Sequence, residues 1–63
     1  MKFKKLKGLM MERGYSQSKL SECLGITVQT FNAKLNGRSK FTLSEVVRIV
    51  DILEIEDLRA YFF

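Results

Sequence analysis

The chain has 63 residues, 46% of them hydrophobic, a formal charge of +4, no histidine, no proline and one cysteine. That length makes a single domain over residues 1–63, burying only roughly 60% of its unfolded surface, which leaves little for an active-site cavity and argues against an enzyme. Cys23 alone forms neither an internal disulfide nor a metal site, so no metal or cofactor is expected and a reducing cytoplasm is; no apolar run approaches the ~20 residues that span a bilayer, and Lys2, Lys4, Lys5 and Lys7 alternate with Phe3, Leu6 and Leu9 instead of preceding an apolar block, so no signal peptide is expected.

The charge is two-sided. Residues 1–40 carry nine Lys/Arg against Glu12 and Glu22, whereas residues 41–63 carry Arg48 and Arg59 against five acids. A basic half suits phosphate neutralisation, because each neutralised phosphate releases counterions.

Periodicity and capping predict five short helices. In the first, Phe3, Leu6 and Met10 recur at i, i+3, i+7 with Leu9 alongside, Met11 falls off the stripe, and Gly14 ends the pattern. Gly8 inside it costs about 1 kcal/mol relative to Ala. The next three starts share one device: an apolar residue, a Ser/Thr cap, and a second apolar residue five positions after the first. These are Tyr15/Ser16/Leu20, Ile26/Thr27/Phe31 and Phe41/Thr42/Val46, and Glu45 completes a capping box in the last. Gly25 stands where the second helix needs a left-handed residue to stop. The third helix is expected from Val28 to Asn36, with Phe31 and Leu35 turned inward and Gln29, Asn32, Ala33 and Asn36 outward. The fourth is expected to bury Leu43, Val46, Val47, Val50 and Leu53, with Ile49 beside them. A fifth, from about Glu56, carries Leu58, Tyr61 and Phe62, and its acidic first turn suits the helix dipole. Short connections force neighbouring helices together, so the fold class is a compact all-α bundle.

Gln17, Ser21, Leu24, Gly25, Ile26 and Thr27, followed by Phe31 and Asn36-Gly37, form a pattern that resembles the lambda-repressor/Cro-like helix-turn-helix family over nearly the whole chain. The resemblance implies a five-helix DNA-binding domain with the helix-turn-helix at helices 2 and 3. Ser21 stands where the family usually has Ala, and its hydroxyl should need a partner such as the carbonyl four residues back.

Gln and Asn pair bidentately with adenine N6/N7, and a small Ala33 admits the groove floor or touches a thymine methyl. Gln29, Asn32 and Ala33 are therefore expected to contact bases. Val28 lies three residues before Phe31, which suggests the core, whereas the family places this position against DNA; both readings stand. By resemblance, Gln17, Ser18, Asn36, Arg38, Ser39 and Lys40 hold phosphates, with Thr27 added to them. Such contacts set register without reading sequence. Lys34 and Lys19 either add charge or are solvated surface lysines.

Three functions fit, in this order. The first is a sequence-specific regulator of double-stranded DNA, similar to phage repressors and Cro proteins, acting in the cytoplasm on the nucleoid. The second is an excisionase-like or antitoxin-like accessory factor whose protein partner carries the biology. The third, a membrane-surface module using the basic start Lys2 to Lys7, ranks last, because Phe3, Leu6 and Met10 are needed for the core. A nuclease needs clustered carboxylates on the basic side, and Glu12 and Glu22 are too few. No small-molecule ligand is expected. One recognition helix touches one half-site, so a homodimer on a two-fold operator is expected, with Tyr61, Phe62 and Phe63 as its contact surface unless they seal the core.

Overall fold

Five helices run through residues 3–62, the part of the chain that the computed structural model describes: α1 Lys4–Glu12, α2 Gln17–Leu24, α3 Val28–Leu35, α4 Leu43–Leu53 and α5 Leu58–Phe62. Lys2 and Phe63, which the sequence reading drew on, lie outside the described residues.

The three inner helices start as their sequences dictate. Ser16 Oγ accepts the backbone N–H of Lys19 at 3.0 Å, and Thr27 Oγ1 accepts that of Thr30 at 3.1 Å. Thr42 Oγ1 accepts the N–H of Glu45 at 3.2 Å while Glu45 Oε1 accepts the Thr42 N–H at 2.8 Å, so the capping box is closed in both directions.

Helix stops are equally local. Gly25 has φ 73°, and beyond it the N–H of Ile26 reaches back to the Ser21 carbonyl at 3.0 Å. This six-residue closure turns the chain sharply into α3, and a residue with a Cβ adopts the required left-handed conformation only at a cost. Gly37, φ 80°, closes α3 in the same way, with the Arg38 N–H on the Ala33 carbonyl at 2.9 Å. The end of α4 has no glycine. Glu54 adopts φ 56° there, and the Arg13 side chain donates from Nε to the Leu53 carbonyl at 3.0 Å. Arg48 does the same for α2, donating to the Cys23 carbonyl at 3.0 Å. A cation on a helix C-terminus satisfies an orphan carbonyl and complements the dipole.

The core is built from Leu6, Leu9, Met10, Leu20, Phe31, Leu35, Ile49, Leu53, Ile55 and Phe62. Phe41 is the hub of an aromatic cluster beside it, with ring centroids 5.3 Å from Phe3, 5.9 Å from Phe62 and 6.1 Å from Phe31. Phe3 precedes α1 at its cap position, and its backbone N–H donates to the Leu35 carbonyl at 3.1 Å. The start of the chain is thereby stitched to the end of α3.

Three sequence expectations need correction, and one open choice is decided. Leu43 and Val47 are not core residues: they are 81% and 58% exposed, and the buried face of α4 is carried by Glu45, Ile49 and Leu53, with Val46 and Val50 half-buried. At 100° per residue, two adjacent apolar stripes share α4, and α2 and the aromatic cluster cover only one of them. The fifth helix starts at Leu58 rather than Glu56; Asp57 precedes it, and its Oδ1 accepts the Arg59 N–H at 3.2 Å. The Ser21 hydroxyl, buried at the crossing of α2 and α3, donates to the carbonyl three residues back, that of Ser18, at 2.8 Å. Phe62 is buried against Phe3 and Phe41 and Tyr61 is half-buried, so of the two readings left open for these aromatics the structure favours sealing the core.

Candidate nucleic-acid interface

Phe31 and Leu35 are fully buried, which fixes the rotation of α3 about its axis. The opposite arc then faces outward. Gln29 and Thr30 are exposed, Asn32, Ala33 and Asn36 are half-buried, and Val28 is 42% exposed. The open choice at Val28 is thus decided against the core. Gln29 makes no side-chain hydrogen bond to any described residue, leaving both ends of its amide free. Thr30, which periodicity left unassigned, joins this arc and shares a 2.9 Å hydrogen bond with the capping hydroxyl of Thr27.

Asn32 is held differently. Its Nδ2 donates to Gln17 Oε1 at 3.1 Å, tying α3 to the first turn of α2, and its Oδ1 accepts Asn36 Nδ2 at 2.9 Å. Asn36 Nδ2 also donates to the Asn32 backbone carbonyl at 2.9 Å, and Asn36 Oδ1 accepts from Lys7 Nζ at 3.3 Å. Four side chains from three helices and a helix end therefore form one continuous polar row. Sequence reasoning placed Gln17, Asn32 and Asn36 at the interface but gave Lys7 no part in it. Nothing local marks Lys7, since only tertiary packing brings α1 beside the end of α3.

Residues Gly37 to Lys40 form an exposed loop between two fixed points, the left-handed Gly37 and the buried edge of Phe41. Arg38, Ser39 and Lys40 project from it, and Ser18 and Thr27 are exposed at the starts of α2 and α3. Of the candidate phosphate-holding residues, Gln17 and Asn36 are half-buried in the polar row. The rest are exposed, the Thr27 hydroxyl being engaged with Thr30.

Lys34 overturns its sequence reading as a solvated or DNA-facing lysine. It is 7% exposed, and its Nζ donates to both Glu45 oxygens at 2.5 and 2.6 Å. Burial pushes the Glu45 carboxyl up, but the Lys34 ammonium together with the backbone N–H and hydroxyl of Thr42 outweighs it and holds the group below its ordinary value. The ion pair clamps the last turn of α3 to the capping box of α4, the two ends that the 37–40 loop connects. Lys19, the other ambiguous lysine, lies over the Tyr15 ring with Nζ 4.8 Å from the centroid.

Among the described residues, no helix is long and apolar enough to cross a membrane. Residues 5–58 match a family model described as a Cro/C1-type HTH DNA-binding domain. No curated protein and no solved structure matches the chain.

Proposed function

The chain belongs to the Cro/C1-type helix-turn-helix DNA-binding family, and on that premise we propose that it is a sequence-specific regulator acting as a repressor or Cro-like protein on double-stranded DNA. The family indicates a DNA-binding regulator. The finer reading is carried by α3, whose buried Phe31 and Leu35 leave Gln29 free, with Val28, Thr30, Asn32 and Ala33 around it, side chains whose chemistry suits major-groove base edges.

In this reading α3 lies in the groove with Gln29 and Asn32 on adenine edges and Val28 and Ala33 against thymine methyls. Gln17, Ser18 and Thr27 meet one phosphate strand from the helix starts, and Asn36, Arg38, Ser39 and Lys40 meet the other. The clamp of Lys34 on Glu45 keeps these two sets in register.

The acting unit is a two-fold dimer. A single helix reads only a few base pairs, too few to select one genomic site, and a symmetric pair on half-sites ~34 Å apart doubles the readout. Its contact surface is the uncovered stripe of α4, Leu43 and Val47, with Leu58, which is 38% exposed. Leu43 and Leu58 share a groove with Ser39 and Lys40, so a second copy seated there lies beside the phosphate loop and on the same face of the duplex.

Selection of bound sequences from random duplex DNA, followed by affinities at two salt concentrations, tests the proposal. The selected duplex should bind orders of magnitude more tightly than random duplex, with affinity falling steeply as salt rises. Equal affinity for both would overturn the regulator reading and leave the accessory-factor role.

A further inference from the structure

We propose that Lys7, which lies outside the helix-turn-helix, acts with the Asn32 backbone carbonyl to hold the amide row across the recognition surface in one direction, and so helps to fix which way round Asn32 and Gln17 present their donors and acceptors. The inference rests on the reading of α3 as the helix that meets DNA.

A side-chain amide has nearly the same shape when its oxygen and NH2 exchange places, but the exchanged form offers a base edge the opposite pattern. An amide that reads DNA therefore needs an anchor that works in one direction only. The row here has two. The Lys7 ammonium can only donate, so Asn36 must meet it with Oδ1, at 3.3 Å, and must turn Nδ2 toward Asn32. The Asn32 backbone carbonyl can only accept, and it receives that same Nδ2 at 2.9 Å.

From Asn36 the direction propagates. Asn32 Oδ1 accepts Asn36 Nδ2 at 2.9 Å, which directs Asn32 Nδ2 to Gln17 Oε1 at 3.1 Å. Two ends are left over. Gln17 retains its Nε2 as an NH2 donor at the start of α2, the polarity that a phosphate oxygen requires. Asn32 retains one N–H and one lone pair, the combination that pairs with adenine N7 and N6.

Lys7 is set apart from its neighbours on α1 by its surroundings. It is half-buried, whereas Lys4 and Lys5 are exposed, and the hydrogen bond from Phe3 N–H to the Leu35 carbonyl holds the start of α1 against the end of α3. Lys7 is therefore a positioning residue: it acts on DNA recognition through Asn36 and Asn32.

Lys7→Met keeps the stem and removes the donor, and Lys5→Met removes the same charge from an exposed site on the same helix. In 15N–1H spectra of the free protein, the side-chain NH2 signals of Asn36 and Asn32 should shift and exchange faster in Lys7→Met and stay in place in Lys5→Met. With DNA, the readout is the ratio of affinities for the selected duplex and for one in which the contacted A·T pair is replaced. That ratio should fall about fivefold in Lys7→Met, part of what a bidentate base contact contributes. It should hold in Lys5→Met, where both affinities fall together, and recover in Lys7→Arg, whose guanidinium also only donates. Unmoved amide signals in Lys7→Met, or an unchanged ratio in a protein that does discriminate, overturn the inference. A native protein that prefers no duplex overturns the recognition reading instead, and the amide signals then decide on Lys7.

Discussion

Replacing Lys34 by Met isolates the clamp between the last turn of α3 and the start of α4, because Met keeps the apolar stem and removes the ammonium. The side chains of Lys34 and Glu45 are 9% and 11% exposed, so the pair lies between two limits. Breaking a deeply buried ion pair costs about 3–5 kcal/mol, and an exposed one contributes less than about 1 kcal/mol. Glu45 keeps the Thr42 N–H and the favourable start of α4 after the substitution, which places the loss at about 2–3 kcal/mol at neutral pH. In a domain whose whole stability is of the order of 3–9 kcal/mol, this lowers the melting temperature by roughly 10–20 °C.

Acid supplies a second measure with a definite sign. The Glu45 carboxyl is held below its ordinary value in the native protein. Its contribution is therefore complete above the unfolded-state value and is lost as pH falls through the native one. Without Lys34, burial is opposed by Thr42 alone and the native value rises, so acid costs the variant less than the parent. The gap between the two melting curves should hold from pH 7 down to about the ordinary carboxylate value of 4.5 and narrow below it, as followed by circular dichroism. A gap that ignores pH, or one below about 0.5 kcal/mol, would refute the description of Lys34 and Glu45 as a buried clamp.

Gly8→Ala should raise stability by about 1 kcal/mol in a thermal melt, since Gly8 is an exposed helix-interior residue and a Cβ there meets nothing within 4 Å. Gln29→Ala should reduce preference at its contacted base by about 1–3 kcal/mol in competition binding while leaving the melting temperature in place, whereas Asn32→Ala should also lose about 1 kcal/mol of stability because Gln17 Oε1 loses its donor and Asn36 Nδ2 one of its two acceptors. Arg38→Ala and Lys40→Ala should weaken binding to all duplexes alike, each reducing the slope of log affinity against log salt by roughly 0.9. Val47→Glu should leave the fold intact and remove the cooperativity with which two proteins fill a palindromic duplex, as read by a sedimentation titration; unchanged cooperativity would move the dimer contact away from α4.

The starts of α2, α3 and α4 and the stops at Gly25 and Gly37 were legible because their causes are local. Ser16, Thr27 and Thr42 each satisfy a backbone N–H three residues away, and Gly25 and Gly37 supply a conformation that other residues resist. The outward arc of α3 was legible for the same reason, since Phe31 and Leu35 one turn apart leave one direction for Gln29 and Ala33. Where a cause lies in another element, the signal vanished. The stop at Glu54 has no glycine and draws on Arg13, forty positions earlier in the chain, through the Leu53 carbonyl.

The division is sharpest at Lys34, Val47 and Lys7. Periodicity assigns a residue to an arc of a helix, and amino-acid type says whether that arc suits water or core, so the fold class and the candidate recognition helix follow from sequence. Which of two apolar stripes on α4 is covered depends on the angle at which α2 and the aromatic cluster meet it, and that angle left Leu43 and Val47 bare. A lysine reads as a surface residue until a specific carboxylate is known to lie opposite. Charge and hydrogen bonding act across space at a few ångströms, and only the folded chain brings Glu45 to Lys34 and Asn36 to Lys7.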